Sequence, residues 1–295
     1  MSTTEPSPGI ATAPWRTTPT QTIDVGGTTF AYRELGPRGA IPLVFLHHFT
    51  ATLDDWDPRV MDGLAARHHV IAFDNRGVGG SGGKVPHTIA AMASDAIAVI
   101  RALGHERVDL LGFSLGGGVA QEIALADPPL VRRLILTGTG HRGGGGLTKM
   151  PLIVGGAYLK AALRRLDARH FLFFPRSPAG KQAAAAYIAR LDERTSDRVP
   201  GITQQARIAQ LAAIREAGLG EPHDLGRITQ PTFVANGEDD VMVATSQSRA
   251  LADQIPDSRL TIYPGSGHGG IFQHHERFVP EVLAFLAEDE GSVAR

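Results

Sequence analysis

The stretch from residue 107 to residue 126 constrains this chain more than any other. It runs from the apolar Val108-Asp109-Leu110-Leu111 through Gly112-Phe113-Ser114-Leu115-Gly116 into the amphipathic Gly117-Gly118-Val119-Ala120-Gln121-Glu122-Ile123-Ala124. A strand ending at Gly112 and a helix beginning at Leu115 leave Ser114 alone on the turn between them. So sharp a turn forces the serine into a strained backbone conformation. It also demands small residues two positions before and two after, so that strand and helix approach without clash. The hydroxyl then stands above the sheet at a helix N-terminus, whose amides and dipole favour an oxyanion. This is a G-x-S-x-G nucleophile elbow in strand–turn–helix context, with Ser114 as the nucleophile. The pentapeptide alone arises by chance, and its flanking elements give it weight. A bystander serine on a glycine-rich β–α turn is the bland alternative.

The remaining pattern surrounds that turn with more of the same architecture. Residues 20–25 and 28–33 flank Gly26-Gly27 and read as a β-hairpin. Continuous apolar runs at 41–46 and 70–73 read as strands buried on both faces, and 107–111, 133–137, 232–235 and 259–263 read as further strands. Helical spacing appears at 88–103, 115–126, 245–254 and 275–287. Strands alternating with helices predict an α/β fold with a mainly parallel sheet covered on both sides. Residues 141–230 break the rhythm. They open with Gly143-Gly144-Gly145-Gly146 and carry helical patterns near 157–166, 180–191 and 202–217. That reads as a helical cap on flexible hinges, above the strand ends where ligands bind. Its Phe171, Leu172, Phe173 and Phe174 either line a pocket or form the cap's own core. Lys160, Arg164, Arg165 and Arg169 have helical spacing and read as a solvated face. The expected division is a disordered or draped tail at 1–19, a core at 20–140 and 231–290, and the cap at 141–230.

Charge and composition exclude several partner classes. The net charge is −1, so no basic surplus points to nucleic acid or an anionic membrane. The absence of cysteine removes disulfides, thiolate metal sites and thiol nucleophiles. Residues 1–19 lack a basic start and an apolar core, unlike a signal peptide. No apolar run reaches the roughly 18 residues of a membrane span. A soluble cytoplasmic protein with a small-molecule substrate is expected, and nothing speaks to its oligomeric state. No H-E-x-x-H or comparable metal spacing occurs, so no metal or other cofactor is expected.

A serine is a poor nucleophile without a base, and the base needs an orienting acid. Two downstream loops supply both. Asn236-Gly237-Glu238-Asp239-Asp240-Val241-Met242-Val243 follows one strand, and Pro264-Gly265-Ser266-Gly267-His268-Gly269-Gly270 follows the next. Both loops lie past strand ends, on the sheet edge that carries Ser114. The other histidines sit in no partnered motif, and His274 and His275 open a helix and are expected to be exposed.

With the elbow, the G-x-x-D turn and the G-x-G-H-G loop in place, the chain resembles the α/β-hydrolase superfamily across about residues 20–287. The resemblance implies an α/β-hydrolase fold with an eight-stranded, mainly parallel sheet, helices on both faces and a helical cap insertion. It implies Asp240 as the acid, with Asp239 next in line, and His268 as the base. The oxyanion hole would use the backbone N–H groups of Leu115 and Phe49. Where the family reads His-Gly-X, this chain reads His47-His48-Phe49, so an imidazole replaces the usual glycine. His48 and Phe113 are candidate substrate-pocket residues, while His47 is expected to pack structurally and hydrogen-bond the loop. Asp74-Asn75-Arg76-Gly77-Val78-Gly79-Gly80-Ser81 resembles the family's D-x-R-G-x-G-x-S turn and is expected to brace the site's loops. The dinucleotide-like Gly77-x-Gly79-x-x-Gly82 within it lacks the helix that a nucleotide site requires. The elbow segment is also similar to 3-oxoadipate enol-lactonases and cofactor-free haloperoxidases. The implied activity is hydrolysis of a small carboxylic ester or lactone through an acyl-enzyme. C–C cleavage of a ring-fission product, perhydrolysis with the same triad and slow-turnover ligand reception are the alternatives.

Overall fold

A computed structural model describes residues 13–144 and 146–288. The strands are β1 (Gln21–Val25), β2 (Thr28–Leu35), β3 (Leu43–Leu46), β4 (Val70–Phe73), β5 (Val108–Phe113), β6 (Val131–Thr137), β7 (Thr232–Gly237) and β8 (Ser258–Tyr263). They form one eight-stranded sheet in the order β1-β2-β4-β3-β5-β6-β7-β8. The β1–β2 and β2–β4 pairs are antiparallel, and every other pair is parallel. The hairpin turns on Gly26 and Gly27, both left-handed at φ 59° and 78°, as a two-residue turn matched to strand twist requires. The central strand β5 is buried at all six positions, as a strand covered by helices on both faces requires, and its one charged residue, Asp109, is paired with Arg132.

The helices are α1 (Pro58–Ala65), α2 (Ile89–Ala102), α3 (Leu115–Ala126), α4 (Met150–Arg164), α5 (Arg169–Leu172), α6 (Pro178–Leu191), α7 (Gln204–Leu219), α8 (Thr245–Gln254), α9 (Gly270–Gln273) and α10 (His275–Leu286). α2 packs on α3, and α1 packs on α10. α1 was not evident in the sequence. It starts at an Asp57 cap followed by Pro58, and at eight residues its periodicity is too short to read. α4 to α7 fill the stretch between β6 and β7, which contains no described strand. Among the described residues, no helix is long and apolar enough to cross a membrane.

The expected tail divides. Residues 1–12 lie outside the described residues, but residue 13 onward packs rather than drapes. Trp15 is buried, and its amide donates to Asp62 Oδ1 at 2.6 Å. A buried ionic knot ties this segment to the insertion. Asp54 meets Arg33 at 2.8 Å and accepts from the Val199 amide at 2.8 Å. Arg194 donates to the carbonyls of Trp15 and Thr18, each at 3.0 Å. The expected solvated basic face also changes. Lys160 and Arg164 are exposed on α4, but Arg165 turns left-handed at φ 52° and ends that helix. Arg169 therefore belongs to α5 and is half-buried in ion pairs.

Candidate active site

Ser114 sits between β5 and α3 at φ 56°, ψ −113°, a region that a side-chain-bearing residue enters only when its surroundings force it. Two contacts supply the force. A Cβ on Gly112 would lie 2.4 Å from the Gly116 carbonyl oxygen, and one on Gly116 would lie 2.0 Å from the Leu46 carbonyl oxygen. Only glycine fits at either place, so strand, turn and helix close tightly. Thr139 Oγ1, two residues past the end of β6, donates to the Ser114 carbonyl at 2.9 Å and steadies the turn.

His268 and Asp240 meet where the two downstream loops converge. His268 Nδ1 donates to Asp240 Oδ2 at 2.7 Å, with both side chains almost fully buried. A carboxylate only accepts, so the proton lies on Nδ1 and Nε2 carries the lone pair. Asp240 Oδ1 accepts from the amides of Met242 at 2.7 Å and Val243 at 2.9 Å. Glu238 and Asp239 are exposed and turn elsewhere; Glu238 accepts from the Gly265 amide at 3.2 Å. The Phe113 ring packs against His268 at 4.9 Å, and the Gly269 amide donates to the Phe173 carbonyl at 2.8 Å. The imidazole is thus held between the core and the insertion. Ser114 and His268 line one cavity. Among the described residues Ser114 Oγ makes no hydrogen bond, a gap that unliganded sites commonly close on binding substrate.

The loop after β3 supplies the opposite wall. The amides of Phe49 and Leu115 have no backbone acceptor among the described residues, so both remain free to donate. Thr50 is left-handed at φ 67°, and its amide donates to Gln210 Oε1 of α7 at 2.8 Å. His48 is buried in the cavity wall, where its Nδ1 donates to the Phe49 carbonyl at 2.8 Å. Burial pushes its pKa down to about 4, so the ring is neutral at pH 7. Phe113 does not line the cavity. It lies fully buried beneath His48 and His268 as a platform, 5.2 Å and 4.9 Å away respectively. His47 packs beside Trp56 at 5.7 Å, but the expected loop hydrogen bond is missing. Its ring nitrogens lack a well-aligned partner among the described residues, and Asp74 Oδ1 is 3.9 Å away. Burial pushes His47 down to about 3. Asp74 braces the loops as the sequence implied, accepting from the Leu53 amide at 2.7 Å and the Gly80 amide at 2.8 Å. Burial pushes its carboxyl up to about 7.

Two spaces open on Ser114. The larger, about 230 Å³, is lined by His48, Phe49, Thr52, Asp55, Asp167, Arg169, Phe173 and His268 among others. Leu172 and Phe173 of the aromatic patch contribute to it, whereas Phe174 is buried among core residues. The smaller, about 50 Å³, is an apolar slot between Leu115, Met150, Ile214 and Val243. His223 and Glu122, paired at 2.8 Å, also line that slot. Asp55, Asp167, Arg169 and Gln210 were missed in the sequence, because contacts spanning 114 and 160 positions leave no local signal. His274 and His275 are both half-buried, not exposed as expected, and His274 stacks on Tyr263 at 5.5 Å. Among the described residues, no group of three His, Asp or Glu side chains stands close enough to hold a metal ion.

Comparison with known proteins identifies the fold. A family profile described as alpha/beta hydrolase fold matches residues 41–275. The chain is 30% identical over 270 residues to a Streptomyces lividans protein named non-heme chloroperoxidase, covering 88% of this chain and 96% of that one. Its structure is similar to that of an alpha/beta hydrolase fold protein from Chitinophaga pinensis, with TM-score 0.90 and 39% identity, covering 94% of this chain and 100% of that one. An esterase from Rhodococcus sp. ECU1013 matches with TM-score 0.70 and 29% identity, covering 91% and 98%.

Proposed function

Because the chain belongs to the alpha/beta hydrolase fold family, we propose that it is a serine hydrolase cleaving a small carboxylic ester or lactone through an acyl-enzyme. The observation that carries this reading is the buried 2.7 Å bond from His268 Nδ1 to Asp240, in the cavity that Ser114 also lines. Ser114 Oγ attacks the substrate carbonyl while its proton passes to His268 Nε2. The tetrahedral oxyanion accepts hydrogen bonds from the Phe49 and Leu115 amides, which together stabilise the transition state by several kcal/mol, about 3 for each donor. His268 then protonates the leaving oxygen as the C–O bond breaks. Water attacks the acyl-enzyme with His268 again as base, and the acid departs. Asp240 holds the required tautomer and offsets the imidazolium charge. The α4–α7 insertion acts as the cap, and the two spaces at Ser114 each take one arm of the substrate.

Hydrolysis of 4-nitrophenyl acetate and butyrate tests this. Ser114→Ala is expected to fall to the background rate, and Asp240→Asn to lose about 10⁴-fold in kcat, both without loss of fold. Turnover by Ser114→Ala equal to wild type would refute the mechanism. A stable serine adduct with an organophosphonate but negligible turnover would instead mark a ligand receptor. The similarity to the Streptomyces lividans chloroperoxidase favours perhydrolysis as a second reading. Hydrogen peroxide would replace water in the second step, releasing a peracid that is measured directly.

A further inference from the structure

The larger cavity contains an arginine that has no spare charge to give. Arg169 Nε donates to Asp167 Oδ1 at 2.9 Å, and its Nη2 donates to Asp167 Oδ2 at 2.7 Å, a bidentate fork. Its Nη1 pairs with Asp55 Oδ1 at 2.5 Å. Asp55 is itself fixed, because its Oδ2 accepts from the Thr52 amide at 2.8 Å and the Thr52 hydroxyl at 2.9 Å. All three side chains line the cavity with Ser114, with Arg169 and Asp55 each 22% and Asp167 32% exposed. A lone arginine in such a place would receive a carboxylate by its planar fork. Here both sides of the fork are taken, and two negative charges face one positive. His48 is neutral. Besides the two histidines and Tyr158, the ionisable side chains that line the cavity are Asp55, Asp167 and Arg169. The lining is left with one negative charge in excess, enclosed where fields are strong.

Resting on the serine-hydrolase reading, we propose that the Asp55–Arg169–Asp167 cluster makes this cavity reject anionic substrate arms and favour a cationic one. The preferred substrate is then an ester whose arm carries an ammonium group or is neutral, and a carboxylate-bearing arm is disfavoured. Asp55 and Asp167 act as specificity residues, and Arg169 positions them.

Esters matched in shape and differing in charge test the idea. On the acyl side, the 4-nitrophenyl esters of 4-(trimethylammonio)butanoate, 5,5-dimethylhexanoate and glutarate carry one positive, no and one negative charge. On the alcohol side, acetylcholine is compared with 3,3-dimethylbutyl acetate. In the acyl series the cation is expected to lead, with kcat/KM at least about tenfold above that of the anion, and the alcohol series shows whether the same preference reaches the other arm. The ratio is expected to shrink as salt is raised. Asp167→Asn and Asp55→Asn are each expected to bring it toward unity, and the double variant to reverse it. Because the readout is a ratio within one protein, a general loss of activity cancels, and thermal melting identifies a variant that has not folded. Equal rates for all charges, a preference for the glutarate ester, or ratios unmoved in both single variants would each overturn the proposal. If Ser114 turns over neutral esters and charge is ignored, only the charge selectivity falls. If no ester is turned over, the hydrolase reading falls with it.

Discussion

Gln210 reaches from α7 to the loop that carries one proposed oxyanion donor, and Gln210→Leu tests what that reach does. Its Oε1 accepts from the Thr50 amide at 2.8 Å, one residue beyond Phe49. Thr50 is a β-branched residue held left-handed at φ 67°, a conformation that costs about 1–2 kcal/mol. The strain persists only while something holds the loop. Removing the acceptor strands a part-buried amide at a cost of about 1–3 kcal/mol. The loop can relieve both costs by relaxing, and that relaxation moves the Phe49 amide. Complete loss of an oxyanion donor costs about 3–4 kcal/mol of transition-state stabilisation, so a displaced donor should cost less. At about 1.4 kcal/mol per decade, kcat is expected to fall about tenfold to a hundredfold. KM should change little, because the ground-state carbonyl oxygen depends less on that amide. The assay is kcat and KM on 4-nitrophenyl acetate together with thermal melting. Gln210→Glu, which keeps an acceptor oxygen at the same reach, should recover part of kcat. If Gln210→Leu melts several degrees lower yet keeps wild-type kcat, the residue secures the insertion only, and the coupling to the oxyanion loop is refuted.

Two further outcomes follow from the elbow and from the buried titrating groups. Gly116→Ala places a Cβ 2.0 Å from the Leu46 carbonyl oxygen, a backbone clash that must shift β3 or α3; a melting temperature within a degree of wild type would contradict the packing described. His47 and His48 stay neutral in the fold down to about pH 3 and 4, so the unfolded chain binds more protons below its own pKa of about 6.5, and stability falls as pH drops below that value. Asp74 acts the other way, because its folded pKa of about 7 lies above its unfolded value; its contribution is lost as pH rises from about 4 to 7. Two histidines against one carboxyl leave a rise of about 1.4 kcal/mol per pH unit near pH 5–6 from these three groups. Asp74→Asn should steepen that slope by a similar amount in urea unfolding, and parallel wild-type and variant curves would contradict the assignment.

The inner strands β3 and β4 were legible because they are buried at every position and therefore read as unbroken apolar runs, and the hairpin was legible from its Gly26-Gly27 turn. The elbow was legible for a steric reason, since Gly112 and Gly116 have no substitutes. Asp240 was distinguishable from Glu238 and Asp239 only by resemblance. The structure separates them by burial, with two amides on one carboxylate oxygen and His268 on the other. The basic run misled because Lys160, Arg164 and Arg165 keep helical spacing right up to the residue where the helix stops. Arg165 adopts φ 52°, and nothing in its side chain announces that. Arg169 is thereby turned inward onto Asp55, 114 positions earlier. Local patterns carry periodicity, and they cannot carry a pairing of that span. Phe113 went astray for a related reason. Its place beside the nucleophile in sequence did not bring it into the cavity, because its ring is fully buried beneath His48 and His268.

The ionic knot at Asp54 bears on how this molecule comes apart. Asp54 is buried against Arg33 of β2 and the Val199 amide beyond α6, and Arg194 joins it to the carbonyls of Trp15 and Thr18. Peeling the insertion away would strand a charge and several polar groups without partners, at a cost of several kcal/mol. That cost removes the usual route by which an inserted subdomain melts first. The insertion, the opening segment and the sheet are bound into one cooperative unit, and heat should release them in a single calorimetric transition.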